Sequence, residues 1–263
     1  MVEVKSQDNR IESTSYMSTT PSTQAVTRGT GVALQTFAET AETLTISDGR
    51  DLGMLVDLAD EAQSPWTKPA ELFDRIGALL NEYIETQVLA QHASWTNAGV
   101  GDITGGTAAD TTQVTVTAGN IDDIVRATKR IIRKANGQAK MAAQGVGFAW
   151  RPEDFELLEA FTQGNGYMSA DEALKNGTVE GIHYLGADHY FTNDNAANHV
   201  MGGLKKAQKL GILRKTYGKA HIIPFPAADS NTFFSGNAYY SRVDIGHLVP
   251  NTLAGCILDW NVV

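Results

Sequence analysis

The chain has very little cysteine and little charge, and each shortage argues against a class of protein. Its one cysteine, Cys256, cannot form an internal disulfide or, by itself, a zinc site. The apolar neighbours Ala254 and Ile257 favour a small buried side chain over the alternative of a reactive thiol. Charged residues make up 19% of the 263 residues, against about 25% in an average protein. Such a polar but weakly charged chain suits long strands and loops that neighbouring molecules cover.

Long apolar runs and an excess of basic residues are missing as well. No stretch reaches the roughly 18 consecutive apolar residues that a membrane span needs, and the first ten residues are polar with mixed charge, unlike a secretory signal. We therefore expect a soluble, intracellular protein without membrane contact. The net charge of −9 argues against a protein that reads nucleic-acid sequence.

Catalytic and cofactor-binding motifs are also absent. The sequence has no GxxxxGK[ST] phosphate loop, no GxGxxG, no GxSxG and no HExxH. Gly99 and Gly101 precede a predicted strand rather than a helix, so they do not fit a dinucleotide-binding turn. We predict no catalytic, cofactor-binding or metal-binding residues, and no enzymatic activity.

The strongest metal-ligand candidates are His183, Asp188 and His189. On one extended strand the two histidines would lie about 20 Å apart, so a turn at Gly186 is needed to bring them together. Ordinary surface or interface histidines are favoured, and a metal-dependent hydrolase around His183 and Asp188 is kept as an alternative. Three other histidines show no partner at a ligand spacing: His199, His221 and His247.

The clearest regular element is a helix predicted over residues 67–92. Thr67 is a candidate N-cap and Pro69 fits the first turn. Some 24 residues would extend about 36 Å. Apolar residues recur at helical spacing: Leu72, Phe73, Ile76, Leu79, Leu80, Tyr83, Ile84 and Val88.

Further elements alternate between helix and strand, which predicts an α+β fold. A second helix is expected from residue 121 to about 135 with Asn120 as its cap, and a third from Pro152 to Phe161. Short apolar runs predict strands at 113–117, 145–150, 182–191, 238–243 and 256–260.

The first 58 residues supply no core of their own. Residues 1–25 are Ser/Thr-rich and are expected to form a loop or flexible arm. Residues 26–58 alternate apolar and polar residues, with a polar tip at 36–42, and predict a long hairpin that leans on a partner.

Basic residues are concentrated in two stretches that contain no acid. One follows Asp123 and includes Arg126, Arg130 and Arg133; the other is a basic segment over 204–219. A solvated helix face, pairing with acidic faces of neighbouring subunits, and contact with DNA all remain open for these stretches.

The order of these segments resembles the major capsid proteins of tailed bacteriophages. Residues 26–46 resemble the extended E-loop of that family, and the following helix resembles its spine helix. The strand, proline and helix at 148–158 and the turn and strand at 175–182 are similar to axial-domain elements. The resemblance covers residues 26–263 and depends on the ordered set rather than on one motif.

The resemblance implies an HK97-type fold and self-assembly into the hexamers and pentamers of an icosahedral shell around phage DNA. It implies a short N-terminal segment at 1–25, followed by the E-loop and its strand at 26–58. A peripheral domain is expected at 59–118, with the spine helix at 67–92. An axial domain is expected at 119–235, and final strands at 236–263 return to the peripheral domain. The expected location is the virion, assembled in the host cytoplasm. Expected partners are further copies of the chain, a separate scaffolding protein, portal and decoration proteins, and non-specifically bound double-stranded DNA.

Nine residues are expected to contact neighbouring subunits. They are Arg28, Val32, Leu34, Phe37, Leu44, Ile46, Arg126, Arg130 and Arg133.

Two departures from the family refine these expectations. The E-loop region begins almost at Met1, so the N-terminal arm is expected to be missing or very short, without a built-in scaffold, and a shortened gene product is the alternative. Residues 22–48 contain no lysine, so no covalent cross-link from this loop is expected. A cellular nanocompartment shell of the encapsulin type and a smaller decoration protein are the alternatives.

Overall fold

The computed structural model describes residues 2–8, 10–17, 36, 38–57, 69–101, 103, 112–135, 137–165, 181–213, 220–225 and 236–263. The strands are β1 Val2–Gln7, β2 Ile11–Met17, β3 Glu39–Thr45, β4 Asp48–Asp57, β5 Asn97–Val100, β6 Val146–Trp150, β7 Ile182–Tyr184, β8 Ala187–Phe191, β9 His199–Leu204, β10 Gln208–Leu213, β11 Ala220–Phe225, β12 Gly236–Leu248 and β13 Ile257–Asn261. The α-helices are α1 Pro69–Ala90, α2 Ile121–Lys134, α3 Gln138–Gln144 and α4 Pro152–Gly164, and short 3₁₀ turns lie at Gln91–Ser94 and Ala254–Cys256.

A six-stranded mixed sheet forms the larger core, in the order β5-β13-β9-β6-β8-β7. Its inner strands are almost continuously apolar because helices and loops cover them, and Trp150 and Trp260 are completely buried. The indole nitrogen of Trp260 donates a hydrogen bond of 2.9 Å to Oγ1 of Thr128 on α2. This bond satisfies the polar atom that Trp260 carries into the core and fixes α2 against the sheet.

A second sheet runs in the order β1-β10-β12-β11, and β4 also pairs with β12. α1 packs on this sheet, and Leu72, Ile76 and Leu80 face Leu210 and Tyr239 in a smaller core. The spacing of four residues between the helix contacts puts them on one face, as the sequence predicts. The helix predicted at 67–92 is therefore confirmed, with observed ends at Pro69 and Ala90.

The second and third predicted helices and the strand between them are confirmed, with three differences. The side chain of Asn120 does not cap α2: its Oδ1 accepts a hydrogen bond from the Thr117 amide and its Nδ2 donates to the Thr115 carbonyl. Asn120 thus stabilises the turn before the helix. α3 was not predicted, and α4 continues past Phe161 to Gly164.

The amino-terminal segment corrects the expectation of a loop or flexible arm at 1–25. β1 adds to the second sheet, parallel to β10, with Val2 opposite Gln208. β2 pairs antiparallel with β3 from Ile11 opposite Thr45 to Met17 opposite Glu39. Of the polar stretch expected to form a hairpin tip at 36–42, the residues from 39 onward are strand, and they pair with β2.

Three other expectations need correction. The basic segment at 204–219 contains β10, most of whose residues are buried. A solvated helix face, one of the three alternatives left open for this segment, therefore does not apply to Gln208–Leu213. The expected strand at 113–117 is reduced to an isolated bridge between Val114 and Val262. The final strands also separate: β12 joins the sheet under α1, whereas β13 lies within the six-stranded sheet. The strands of residues 236–263 therefore lie in two different sheets rather than together.

Candidate functional site

The β2–β3 ribbon forms a separate two-stranded sheet. Ile11 is 61% exposed, and in β3 only Leu44 is buried. A two-stranded ribbon with a largely exposed surface is marginally stable in water and presents unpaired backbone groups along its edges. The ribbon therefore has the properties of a docking element.

The base of the ribbon is fixed to the second sheet. Leu44 and Ile46 are 3% and 4% exposed. The Ile46 amide donates to the Arg10 carbonyl at 2.7 Å, and the Ser47 amide donates to the Ile245 carbonyl at 3.2 Å. Because their own chain covers Leu44 and Ile46, the expectation that they form an inter-subunit surface does not hold for these two residues.

Four of the other expected contact residues lie outside the described residues: Arg28, Val32, Leu34 and Phe37.

The three arginines of α2 have different surroundings. Arg126 pairs within its own helix, with Asp122 at 2.6 Å and Asp123 at 3.4 Å. Arg133 is exposed. The Nε and one terminal nitrogen of Arg130 are buried, and neither has a hydrogen-bond partner in the described part of the chain. Buried guanidinium nitrogens without a partner are costly, so these two atoms of the half-buried Arg130 could donate to an anionic or carbonyl partner from outside the described chain.

The hairpin β7–β8 makes the turn at Gly186 that the metal-ligand candidates require, but it does not bring all three of them together. Leu185 and Gly186 both adopt positive φ, as a tight hairpin needs. His183 lies opposite Asp188, and its Nδ1 is 2.6 Å from the carboxylate. The other carboxylate oxygen pairs with Lys205. His183 is exposed and His189 is buried, so the three candidates do not form a common ligand set.

His189 is instead part of the core. Its Nδ1 accepts a hydrogen bond of 2.9 Å from the Trp150 indole, and its Nε2 lies 3.2 Å from the Tyr184 carbonyl. Burial lowers the pKa of His189 to about 4; the Tyr184 hydrogen bond opposes this, and the nearby positive charges of Lys129 and His183 add to it. His189 is therefore a neutral structural residue of the core, and its interpretation as a surface or interface histidine is wrong.

A cavity of about 290 Å³ lies between α1 and the six-stranded sheet. Its lining is mainly apolar, with Glu85 on the helix side and Lys205 on the sheet side. Two buried donors in this lining, Nε1 of Trp95 and Nε2 of Gln208, have no hydrogen-bond partner in the described part of the chain. α1 and the larger sheet are thus separated here by space rather than by tight packing.

Sequence analysis missed a cluster of two histidines and one aspartate. His199, which showed no partner spacing, has its Nδ1 2.9 Å from both carboxylate oxygens of Asp259. Nδ1 of His92 is 2.8 Å from Oδ2 of the same carboxylate. The sequence separations from Asp259 are 60 and 167 residues, so only the pairing of β9 with β13 could reveal the cluster. One weak signal was available, because an acid in the otherwise apolar strand β13 needs a partner.

Over the residues that the structure describes, no helix is both long enough and apolar enough to cross a membrane.

No protein-family model matches the chain, and a search of curated proteins finds no relative. Solved structures do match. A structure from Mycobacterium phage Che8 superposes with a TM-score of 0.64 at 16% identity, covering 96% of this chain and 85% of that chain. The capsid structure of the cyanophage P-SCSP1u gives 0.63 at 13% identity, with 100% and 86% covered.

The chain has the fold of a phage major capsid protein. At these identities the likeness is one of fold, and the expectation of a capsid-type α+β architecture is confirmed at that level. A virus-like particle from Pyrococcus furiosus shares the capsid fold with a TM-score of 0.54 at 12% identity, covering 98% of this chain and 89% of that chain.

Proposed function

We propose that this protein is the shell subunit of a tailed-phage capsid. Copies of it assemble into the hexamers and pentamers of an icosahedral shell around phage DNA, and its location is the virion. The observation that carries the proposal is a structural likeness to capsid subunits that extends over almost the whole chain. Its role is therefore structural rather than enzymatic.

Within this proposal the β2–β3 ribbon is the E-loop, and it is built from residues 11–17 and 39–45 rather than from 26–58. α1 is the spine helix, and the sheet beneath it belongs to the peripheral domain. The six-stranded sheet with α2, α3 and α4 is the axial domain. The support is physical, because an exposed ribbon that is fixed only at its base gains stability when a neighbouring subunit covers it.

The inter-subunit contacts proposed for Arg28, Val32, Leu34 and Phe37 are retained as part of this function. Among the described residues, Arg130 carries the best argument, because its buried guanidinium nitrogens have no partner in the described chain. A carboxylate or carbonyl group of a neighbouring subunit would supply one. Arg126 contributes less, because two acids of its own helix already hold it.

The remaining partners follow from the function. A separate scaffolding protein, a portal and decoration proteins are proposed, together with non-specific contact to packaged DNA. The net charge of −9 favours weak contact with that DNA. The absence of lysine from residues 22–48 supports a shell held by non-covalent contacts. A ladder of covalent oligomers on a denaturing gel of assembled particles would contradict this.

A nanocompartment shell of the encapsulin type is the second candidate, favoured by the likeness to the virus-like particle from Pyrococcus furiosus. Its TM-score of 0.54 is lower than the values of 0.63 and 0.64 for the phage structures. The two candidates differ in what the shell contains. Particles from the native source that hold nuclease-protected DNA of uniform length support the capsid, whereas particles filled with one cargo protein support the nanocompartment.

The test is electron microscopy of the purified protein, together with size-exclusion chromatography. We expect icosahedral particles of megadalton mass. Protein that stays monomeric over a range of concentration, salt and pH, both alone and when co-expressed with the neighbouring genes of its native source, would contradict the proposal.

A ribbon variant tests the mechanism of assembly. Residues 18–38 are replaced by a short Gly-Asn turn, which keeps both strands, Leu44 and Ile46 in place. We expect a soluble subunit whose circular dichroism and melting temperature match those of the original chain but which forms no particles. Normal particles from this variant would show that residues 18–38 are not required for assembly.

A further inference from the structure

The cluster of His92, His199 and Asp259 lies where the larger core meets the end of α1. Asp259 is in β13, His199 begins the neighbouring strand β9, and His92 is in the 3₁₀ turn that follows α1. The ring centroids of the two histidines are 4.5 Å apart. The cluster therefore connects the long helix to the six-stranded sheet through side chains.

The carboxylate of Asp259 is buried, with 1% of the residue exposed. A buried carboxylate requires compensating positive charge or several donors. Within the described chain, the ion-pairing partners of Asp259 are the two imidazoles. They can compensate the carboxylate as hydrogen-bond donors through Nδ1–H, or as ligands if both imidazoles and the carboxylate share a cation.

The geometry of the cluster suits a shared cation. One ligand atom from each of the three residues lies within 4.8 Å of the others. Ligand atoms around a tetrahedral zinc ion with bonds of about 2.0–2.1 Å are separated by about 3.4 Å. The observed N···O distances of 2.8 and 2.9 Å would have to lengthen by about half an ångström. The two histidine side chains, which are 13% and 24% exposed, have space for this movement.

The residue types select the metal. Two imidazole nitrogens and one carboxylate oxygen form a mixed ligand set that suits Zn²⁺ and related divalent transition metals better than Ca²⁺ or Mg²⁺, which prefer oxygen ligands. Three protein ligands leave one tetrahedral position open. Because both imidazoles reach solvent, water can fill this position.

We propose that His92, His199 and Asp259 form a binding site for a divalent transition metal, with Zn²⁺ as the preferred ion. The metal clamps the end of α1 to strands β9 and β13 within one subunit. This site does not depend on the proposed shell function, since all three ligands come from one chain.

The test begins with subunits stripped of metal by a chelator and then dialysed. Calorimetric titration with Zn²⁺ should give one ion per chain, and titration with Co²⁺ should give the visible absorption of a four-coordinate site. Since the ligands must lose protons to bind metal, binding should release protons and weaken as the pH falls. Bound Zn²⁺ should also raise the melting temperature.

Variants assign the binding to this cluster. Asp259→Asn and His92→Gln should each weaken Zn²⁺ binding by at least about 100-fold, since even partners outside the ligand sphere contribute about 10–100-fold. His92→Gln is the second variant in case the buried Asp259→Asn chain does not fold. His183→Gln is the matched control, because it removes an exposed histidine that also pairs with a carboxylate, and it should leave binding unchanged.

Three outcomes would overturn the site. These are no stoichiometric binding, binding that persists unchanged in a folded His92→Gln chain, or binding that is lost in His183→Gln. Particle formation is a separate measurement, so failure of the metal site and failure of the shell function can be told apart.

Discussion

The indole nitrogen of Trp150 donates a hydrogen bond of 2.9 Å to Nδ1 of His189, and both residues are completely buried. A nitrogen that accepts a hydrogen bond carries no proton, so the proton of His189 lies on Nε2, which faces the Tyr184 carbonyl. Protonation at Nδ1 would point two N–H donors at each other and place a charge in the buried core. His189 therefore makes the larger core sensitive to acid.

The first prediction concerns stability in acid. The pKa of His189 is about 4 in the folded chain and near the ordinary 6.5 when unfolded. Between these values the unfolded chain binds more protons, so the contribution of His189 is complete above pH 6.5 and declines as the pH falls towards 4. The loss should reach about 3 kcal/mol. Urea unfolding of the subunit between pH 7 and 4 measures it.

His189→Phe supplies the comparison for that measurement. It keeps an aromatic ring beside Trp150 but cannot be protonated. At pH 7 it should be less stable by about 1–3 kcal/mol, because the Trp150 donor loses its acceptor. Its free energy of unfolding should depend less on pH than that of the original chain. Identical pH dependence in the two chains would show that His189 does not control acid sensitivity.

A second prediction concerns the contact between the base of the ribbon and the second sheet. A Cβ atom added at Gly246 would overlap the backbone carbonyl of Thr45 and lie 2.9 Å from Cα of Ile46. Gly246→Ala should therefore displace the β3–β4 link, cost about 1–3 kcal/mol of subunit stability and reduce particle yield. Thermal unfolding and electron microscopy measure the two effects.

Gly77→Ala is the matched control for that substitution. Gly77 is in α1, and an added Cβ there meets nothing within 4 Å. This change should raise stability by about 0.5–1 kcal/mol, because alanine favours a helix interior over glycine, and should leave assembly intact. Equal effects of the two substitutions would mean that the contact between Gly246 and Thr45 is not required.

The parts of the fold that the sequence predicted have a one-sided apolar pattern. α1 was predicted because Leu72, Ile76 and Leu80 repeat at the helical period and face one sheet. β2 was missed because the ribbon has no core face, so its Ser/Thr-rich residues carry no apolar alternation. β10 was missed because Lys205, Lys206 and Lys209 made the surrounding segment look like a solvated face.

The side-chain clusters were less predictable than the elements. His183 and Asp188 are five residues apart and meet across a local hairpin, so their spacing in the sequence already indicated a possible contact. The His92–Asp259 pair spans 167 residues and depends on tertiary structure. The surroundings of Arg130 are also a tertiary property, since sequence alone did not separate it from the exposed Arg133.

A third prediction concerns the single thiol. Cys256 is 1% exposed, and burial raises its pKa, although the positive charge of Lys140 partly opposes this. Because the thiolate is the reactive form, the native subunit should react with a thiol reagent only when it opens. We expect one modified thiol per chain in urea and almost none in buffer over the same time. Rapid modification of the native subunit would favour the reactive-thiol alternative.

The last prediction concerns the basic face of α2 and separates a specific contact from a general charge effect. If a neighbouring subunit supplies the partner that Arg130 lacks, Arg130→Met should lower assembly but leave the subunit as stable as before or slightly more stable, since a partly buried unpaired charge is removed. Lys134→Gln removes the same charge from an exposed site near the end of the same helix. It should change neither subunit stability nor the free energy of assembly by more than about 0.5 kcal/mol.

Light scattering at increasing subunit concentration gives the threshold for assembly, and urea unfolding gives the stability of each variant. A raised threshold for Arg130→Met alone supports direct pairing between subunits, because buried pairs are little affected by net charge or salt. Equal thresholds for the two variants would show that α2 contributes only a solvated basic face.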